Sequence, residues 1–261
     1  MTAAGTYADT AVIRLATTTS TENSGLLAHL LPAFEKNHPY EVQVIAVGTG
    51  KALRLLREGD VDVALVHARA AEDELVAAGF GVNRRDVMYN DFIIVGPVND
   101  PGGVRDTHDA LDAMRHIADS HSLFVSRGDD SGTNKKELSL WQQAGLQPAG
   151  DWYREVGQGM GKALQITAEL QGYTLTDRGT WLSYRDILPL KIVSEGDRRL
   201  FNPYGIMAAN PKKYPDANYT GAMALINWIT AVPAQHLIAN FTINDQQLFV
   251  PMPDGIKAQA Q

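Results

Sequence analysis

The chain has 261 residues, enough for two modest domains at the usual ~100–200 residues each. A formal charge of −7 and a sequence pI of about 5.5 argue against a nucleic-acid partner. The absence of cysteine excludes disulfides, thiolate metal sites and a thiol nucleophile, though it leaves the compartment open.

Residues 12–16 read as a first strand. Residues 23–36 follow as a helix, with Leu26, Leu27, Leu30, Leu31 and Phe34 at helical spacing. Residues 42–47 alternate as a strand, and 51–58 form a helix with Ala52, Leu55 and Leu56 on one side. Residues 61–66 make a third strand and 72–78 a short helix. This β-α-β-α-β-α order implies a parallel sheet covered by helices. Right-handed crossovers then put the loops after the first two strands at one sheet edge. Residues 91–97 are a strongly apolar strand ended by Gly96 and Pro97.

Beyond it, 107–118, 134–144 and 162–171 read as helices, and 122–125, 152–156 and 173–175 as strands. A turn is expected at 176–179, with later strands at 191–193 and 204–208 and helices at 219–231 and 233–241. Two similar α/β units result, the second inserted into the first if the final segment packs back on the opening domain. The boundaries are 1–95 plus 206–261 for one lobe and 96–205 for the other. No apolar run approaches the ~20 residues of a membrane helix, so no integral membrane segment is expected. Residues 1–8, small and polar, read as a processed N-terminus with a start methionine added.

The chemistry gathers at four strand-to-helix junctions. Open parallel sheets bind ligands outside the carboxyl ends of their strands. The first junction is Thr17-Thr18-Thr19-Ser20-Thr21, five hydroxyls beside the unpaired amides of a helix start. Gly48-Thr49-Gly50 is the second, where glycine lets backbone approach a ligand. The third is Ser126-Arg127-Gly128-Asp129-Asp130-Ser131-Gly132-Thr133, which combines amides, two hydroxyls and a planar cation. One of Asp129 and Asp130 is expected to cap the helix and the other to pair with Arg127 or a surface cation. Gly157-Gln158-Gly159-Met160-Gly161 is the fourth; it resembles part of a nucleotide-binding glycine pattern but lacks the acidic ribose partner.

Each junction alone also reads as an ordinary cap or turn. Together they are equipment for a small anion, with some six to eight donors each netting roughly 1.5–3 kcal/mol toward a charged acceptor. Elsewhere, His67 is a candidate base but reads first as a packed or hinge-side residue. Asp177-Arg178-Gly179-Thr180 reads first as an ion pair or helix start. The four tryptophans, Trp141, Trp152, Trp181 and Trp228, read mostly as core.

Several stretches, in order along nearly the whole chain, resemble one family. They are Leu15-Ala16-Thr17-Thr18-Thr19-Ser20, Val47-Gly48-Thr49-Gly50-Lys51-Ala52-Leu53, Gly59-Asp60-Val61-Asp62-Val63, the segment 126–133, and Tyr173-Thr174-Leu175-Thr176-Asp177-Arg178-Gly179-Thr180. The family is that of the substrate-binding proteins of tungstate ABC transporters. The resemblance implies a periplasmic-binding-protein fold: two α/β lobes joined by two crossing strands, with an oxyanion in the cleft. It implies high-affinity tungstate binding, lobe closure on the ligand and delivery to a membrane permease. No cofactor and no bare metal cation is implied, since tungsten arrives as tungstate. It further implies periplasmic location, with the export signal absent from this chain, and a monomer.

By motif, Thr18, Thr49, Arg127 and Thr133 are the implied ligand contacts, with Thr19, Ser20 and Ser131 as secondary candidates. Gly132 belongs to the same loop, and Gly159, Met160 and Gly161 are candidates from position alone. Molybdate has the same charge and shape and stays open as an alternative. Phosphate and sulfate remain further ones. An enzyme using His67 with Asp129 or Asp130 lacks a nucleophile and base at suggestive spacing. A ligand-sensing regulator lacks a basic helix-turn-helix before Val12.

Overall fold

The structure, a computed structural model, describes residues 11–105, 107 and 109–252; the segment 1–8, expected to be a processed N-terminus, lies outside the described residues. The chain divides into two compact units. Unit 1 comprises, among the described residues, 11–88, 203–241 and 251–252, and unit 2 comprises Tyr89–Asn202 and Thr242–Val250 apart from the undescribed 106 and 108. The units divide at Met88/Tyr89 and Asn202/Pro203 rather than at the expected 95/96 and 205/206, and 242–250, expected in the opening lobe, groups with unit 2.

Unit 1 opens with β1 (Ala11–Thr18), α1 (Thr19–Asn23), α2 (Leu26–Glu35), β2 (Tyr40–Val47), α3 (Thr49–Glu58), β3 (Val63–Val66) and α4 (Arg69–Ala77). β1 runs parallel to both β2 and β3. In that register Thr18 lies beside Val47, so the backbone after β1 and after β2 leaves the sheet at one edge. Every residue of β3 is buried, as a parallel strand covered on both faces requires. Leu26, Leu27, Leu30 and Phe34 of α2 are buried on one helical face. Ala52 and Leu56 of α3 pack with Ala16, Val61, Val66 and Met207.

β4 (Gly81–Pro97) carries the chain into unit 2. There follow α5 (Ala110–Asp119), β5 (Phe124–Ser126), α6 (Gly132–Gln143), β6 (Tyr153–Glu155), α7 (Met160–Glu169), β7 (Thr174–Asp177), α8 (Arg178–Tyr184) and β8 (Leu190–Ser194). β5 pairs in parallel with β6, and on its other side the amide of Val125 donates to Tyr173 at 2.8 Å. Phe124, Trp141, Trp152 and Tyr153 form one aromatic cluster behind it, with Phe124 and Trp141 5.2 Å apart edge to face. The second half of β4 pairs antiparallel with β7 and β8.

β9 (Phe201–Ala209) returns the chain to unit 1, where it runs antiparallel to β3. α9 (Tyr219–Ile229) and α10 (Val232–Ala239) follow, then a hairpin of β10 (Thr242–Ile243) and β11 (Gln246–Gln247), and β12 (Val250–Pro251) beside β4. Among the described residues, no single helix is long and apolar enough to cross a membrane.

Several elements differ from their expected form. The helix expected at 23–36 starts only at Leu26, because Gly25 adopts φ +79° and Ser24 Oγ donates to the Thr21 carbonyl at 2.7 Å; a separate short helix, α1, precedes it. The strand expected at 91–97 begins ten residues earlier, at Gly81. Its charged residues hid it: Arg84 is buried and paired with Glu72 at 2.8 Å. The helix expected from 107 starts at Ala110, after Asp109 caps it. The turn expected at 176–179 is the end of β7 and the start of α8, capped by Asp177. The opening sheet is parallel as expected, but β9 makes it mixed.

Asp62 shows how local sequence becomes packing. Gly59 closes α3 in the left-handed region, at φ +80°, and the chain turns at once into β3. Asp62 is then buried, accepting from the Arg14 guanidinium at 2.8 Å, the Arg14 amide at 2.7 Å and the Asn218 amide at 2.8 Å. Burial pushes its carboxyl up, but those hydrogen bonds together hold it below the ordinary carboxylate range. Its stabilisation is therefore present above pH ~4 and lost as pH falls through the lowered native value.

Two stability outcomes follow from this packing. Asp62→Asn should lower unfolding stability at neutral pH by about 2 kcal/mol and flatten its loss in acid, measured by urea titration across pH. A methyl at Gly96 runs into the Tyr173 ring, so Gly96→Ala should cost about 1–3 kcal/mol in the same urea assay with an unchanged slope.

Candidate functional site

In unit 1 the candidate residues sit where β1 and β2 end. Thr18 is both the last residue of β1 and the cap of α1: its Oγ1 accepts from the Thr21 amide at 3.2 Å. The same hydroxyl shares hydrogen bonds with Thr21 Oγ1 at 2.6 Å and Ser20 Oγ at 3.1 Å. Thr17 spends its hydroxyl on the Leu65 carbonyl at 2.8 Å, which ties β1 to β3. Thus the five-hydroxyl loop is not a loop of five available donors. Thr17 and Thr21 are buried and committed to the fold, Thr18 shapes the turn, and Thr19 and Ser20 are exposed. The amides of Thr19 and Ser20 open α1, where no intrahelical partner exists.

α3 begins differently. Its cap is Gly48, which has no side chain with which to accept from the first turn. Gly48 and Gly50 both face open space where a Cβ would stand. Thr49 and Gly50 therefore present first-turn amides, beside the Thr49 hydroxyl, to whatever approaches the end of β2.

In unit 2 the loop after β5 carries Arg127. Gly128 takes φ +59°, and its position lies so close to β6 that a Cβ would stand 2.8 Å from Glu155 Cβ. Asp130 also has positive φ, at +57°. These two left-handed residues turn the chain sharply from β5 into α6. Ser131 caps α6 by accepting from the Asn134 amide at 3.3 Å. The expectation that an aspartate caps this helix is corrected accordingly. Asp129 binds Arg127 Nη2 at 2.5 Å and accepts from the Ser131 amide at 3.2 Å, while Asp130 pairs with Lys135 at 3.4 Å. Burial pushes the Asp129 carboxyl up, but the Ser131 and Arg127 hydrogen bonds hold it below the usual range. It is the negative partner that orients Arg127.

Arg127 is mostly buried, at 18% side-chain exposure. Its Nε is enclosed and has no hydrogen-bond partner. A buried guanidinium N–H without an acceptor is costly. Thr133 is buried on the first turn of α6, and Gly132 next to it is exposed.

α7 repeats the pattern of α3. Its cap, Gly159, offers no side-chain acceptor and faces open space, so the Met160 and Gly161 amides lead an uncapped helix. A Cβ at Gly161, however, would collide with the Tyr184 hydroxyl, so packing against α8 explains that glycine.

The remaining candidates are structural. His67 packs against Tyr204, the rings tilted by 34° with centroids 4.8 Å apart. Asp177 caps α8, accepting from the Thr180 amide and hydroxyl at 2.7 Å, and Arg178 is bidentate to Asp91 at 2.6 Å and binds Glu195 at 2.5 Å. Trp141 and Trp181 are buried, whereas Trp152 and Trp228 are only partly so.

Sequence reasoning passed over Glu137. It is 2% exposed and accepts from Ser126 Oγ at 2.5 Å, Asn134 Nδ2 at 3.4 Å, Trp141 Nε1 at 2.9 Å and the Tyr153 hydroxyl at 2.8 Å. Its signal was available in the helical spacing Asn134, Glu137, Trp141, which puts all three on one face.

The PBP superfamily domain matches residues 5–232 of this chain. A tungstate-binding protein TupA from Peptoclostridium acidaminophilum is 51% identical over 231 residues, covering 88% of this chain and 81% of that protein. A putative ABC transporter anion-binding protein of Haloferax volcanii is 51% identical over 92% of this chain and 71% of its own length. The solved structure of the tungstate-binding protein TupA from Desulfovibrio alaskensis G20 superposes with a TM-score of 0.89 at 44% identity, over 94% of this chain and all of that one.

Proposed function

Because this chain belongs to the PBP superfamily and, within it, to the TupA family of tungstate-binding proteins, we propose that it binds tungstate and hands it to the permease of an ABC transporter. Arg127 carries the reading. Asp129 fixes one end of its guanidinium, and the enclosed Nε is left with a hydrogen to donate. Guanidinium keeps its charge at every relevant pH and forks across two oxygens of one anion.

Tungstate is a tetrahedral dianion that only accepts hydrogen bonds. Each unit offers donors to match: in unit 1 the first-turn amides of α1 and α3 and the Thr49 hydroxyl, in unit 2 the first-turn amides of α6, the Thr133 hydroxyl and Arg127. Some six to eight donors at roughly 1.5–3 kcal/mol each offset the ion's desolvation and support nanomolar binding, about −12 kcal/mol. Thr18 contributes by holding the α1 turn as well as by contact. A protonated ligand such as hydrogen phosphate also presents a donor, which the first-turn amides and the Arg127 guanidinium cannot accept. Between tungstate and molybdate, the family decides for tungstate.

In this role the protein performs no reaction. Its work is selection and delivery at the outer face of the membrane, as a monomeric periplasmic component. The uncapped start of α7 is a further source of amides for the same anion.

The test is titration by calorimetry and tryptophan fluorescence with tungstate, molybdate, sulfate and phosphate. Tungstate should bind most tightly, with sulfate and phosphate failing to displace it. Arg127→Ala should weaken tungstate by at least ~2 kcal/mol, about thirtyfold, and Thr49→Ala by about 1 kcal/mol. An Arg127→Ala variant with undiminished affinity removes this residue from the site.

A further inference from the structure

Glu137 is a buried carboxylate for which the fold alone gives little reason. Burying a carboxylate is expensive, and such groups are ordinarily paired with a cation. The hydrogen bonds it accepts come from four neutral groups, two on each oxygen: Ser126 and Asn134 on Oε2, Trp141 and Tyr153 on Oε1. Burial pushes its carboxyl up, against the pull of those donors. A well-packed apolar side chain is the cheaper choice for stability at such a position.

The donors show what the carboxylate holds. Ser126 is the residue before Arg127, where the loop leaves β5. Asn134 is where the loop has entered α6. Its Oδ1 accepts from the Asp130 amide at 3.1 Å, its amide donates to the Ser131 cap, and its Nδ2 also reaches Ser126 Oγ at 3.2 Å. One carboxylate oxygen therefore clamps both ends of the Arg127 loop. The other is anchored by Trp141 and Tyr153 in the aromatic cluster behind it.

We propose that Glu137 is the positioning residue of the anion loop: by accepting from Ser126 and Asn134 together, it fixes the path of residues 127–131 and so the aim of Arg127. This rests on the tungstate reading above. It also requires a side chain that accepts at both ends, which glutamate satisfies and glutamine does not. The amide end of glutamine meets either Asn134 Nδ2 or Trp141 Nε1, donor against donor, while the Ser126 and Tyr153 hydroxyls can turn to accept.

The experiment is a double-mutant cycle on the whole chain, with tungstate affinity read by calorimetry and folding by urea titration. Wild type is titrated first; if it binds no tungstate, the functional reading itself fails and this assignment falls with it. With wild type binding, Glu137→Gln should lose about tenfold or more in affinity, the scale on which residues supporting a direct ligand act. In the Arg127→Ala background the same change should cost less than about twofold, because it acts through Arg127. Equal affinity of Glu137→Gln and wild type overturns the proposal, and so does the same loss in both backgrounds, which marks a merely structural role. If Glu137→Gln does not fold, Ser126→Ala takes its place in the cycle, with a smaller loss in the same direction expected and an unchanged affinity decisive against the assignment.

Discussion

A doubly charged anion leaves water only for a place where donors are already oriented and cannot relax away from it. On the proposed reading that constraint is met most clearly at Arg127. Its guanidinium is largely removed from solvent, one terminal nitrogen is fixed by Asp129, and Nε is enclosed with its hydrogen unspent. The surrounding sequence serves that arrangement. Gly128 permits the backbone to pass against β6, Asp130 and Gly128 supply the two left-handed turns, and Ser131 starts the helix. Glu137 closes the set from behind. Each of these residues is intelligible from the geometry of the loop, and together they make a rigid cation from a flexible side chain.

On the same reading the helix starts of each unit offer further donors, and their caps sort them. α1 and α6 are capped by Thr18 and Ser131, whose hydroxyls satisfy one amide each and define the turn. α3 and α7 are led by glycine, with no side-chain acceptor and with space beside the backbone. A glycine at such a position gives up only roughly a few tenths of a kcal/mol relative to a capping side chain, and leaves first-turn amides without a side-chain acceptor. In a chain of net charge −7, anion binding by backbone dipoles and one oriented arginine is reasonable, because distant surface carboxylates are screened over ~10 Å.

Much of the fold was legible in the chain. The apolar spacing of Leu26, Leu27, Leu30 and Phe34, and the unbroken run of 63–66, announced helix and buried strand because burial alone sets those patterns. What stayed hidden was decided by single polar contacts. Gly25 and Ser24 delay to Leu26 a helix that periodicity started at Asn23. The early half of β4 carries Arg84, Arg85 and Asp86, and reads as surface until Glu72 is seen to neutralise Arg84. The loops bearing the candidate residues were recognisable from their small residues, yet not the division of labour within them. Five hydroxyls in a row looked equivalent, and only the β1–β3 pairing shows that Thr17 belongs to the sheet. Ser131 outcompeted two aspartates as the cap, since Arg127 and Lys135 had already claimed the carboxylates. Glu137 was overlooked because a Lys-Lys-Glu run looks like a solvated helix face.

The central claim is that Arg127, where the chain turns from β5 into α6, holds a tetrahedral oxyanion. It is tested most directly by diffraction from tungstate-soaked crystals at the tungsten absorption edge. One anomalous peak is predicted, with its oxygens within hydrogen-bond reach of Arg127 Nε. A tungsten peak away from Arg127, or none at saturating tungstate, contradicts the account.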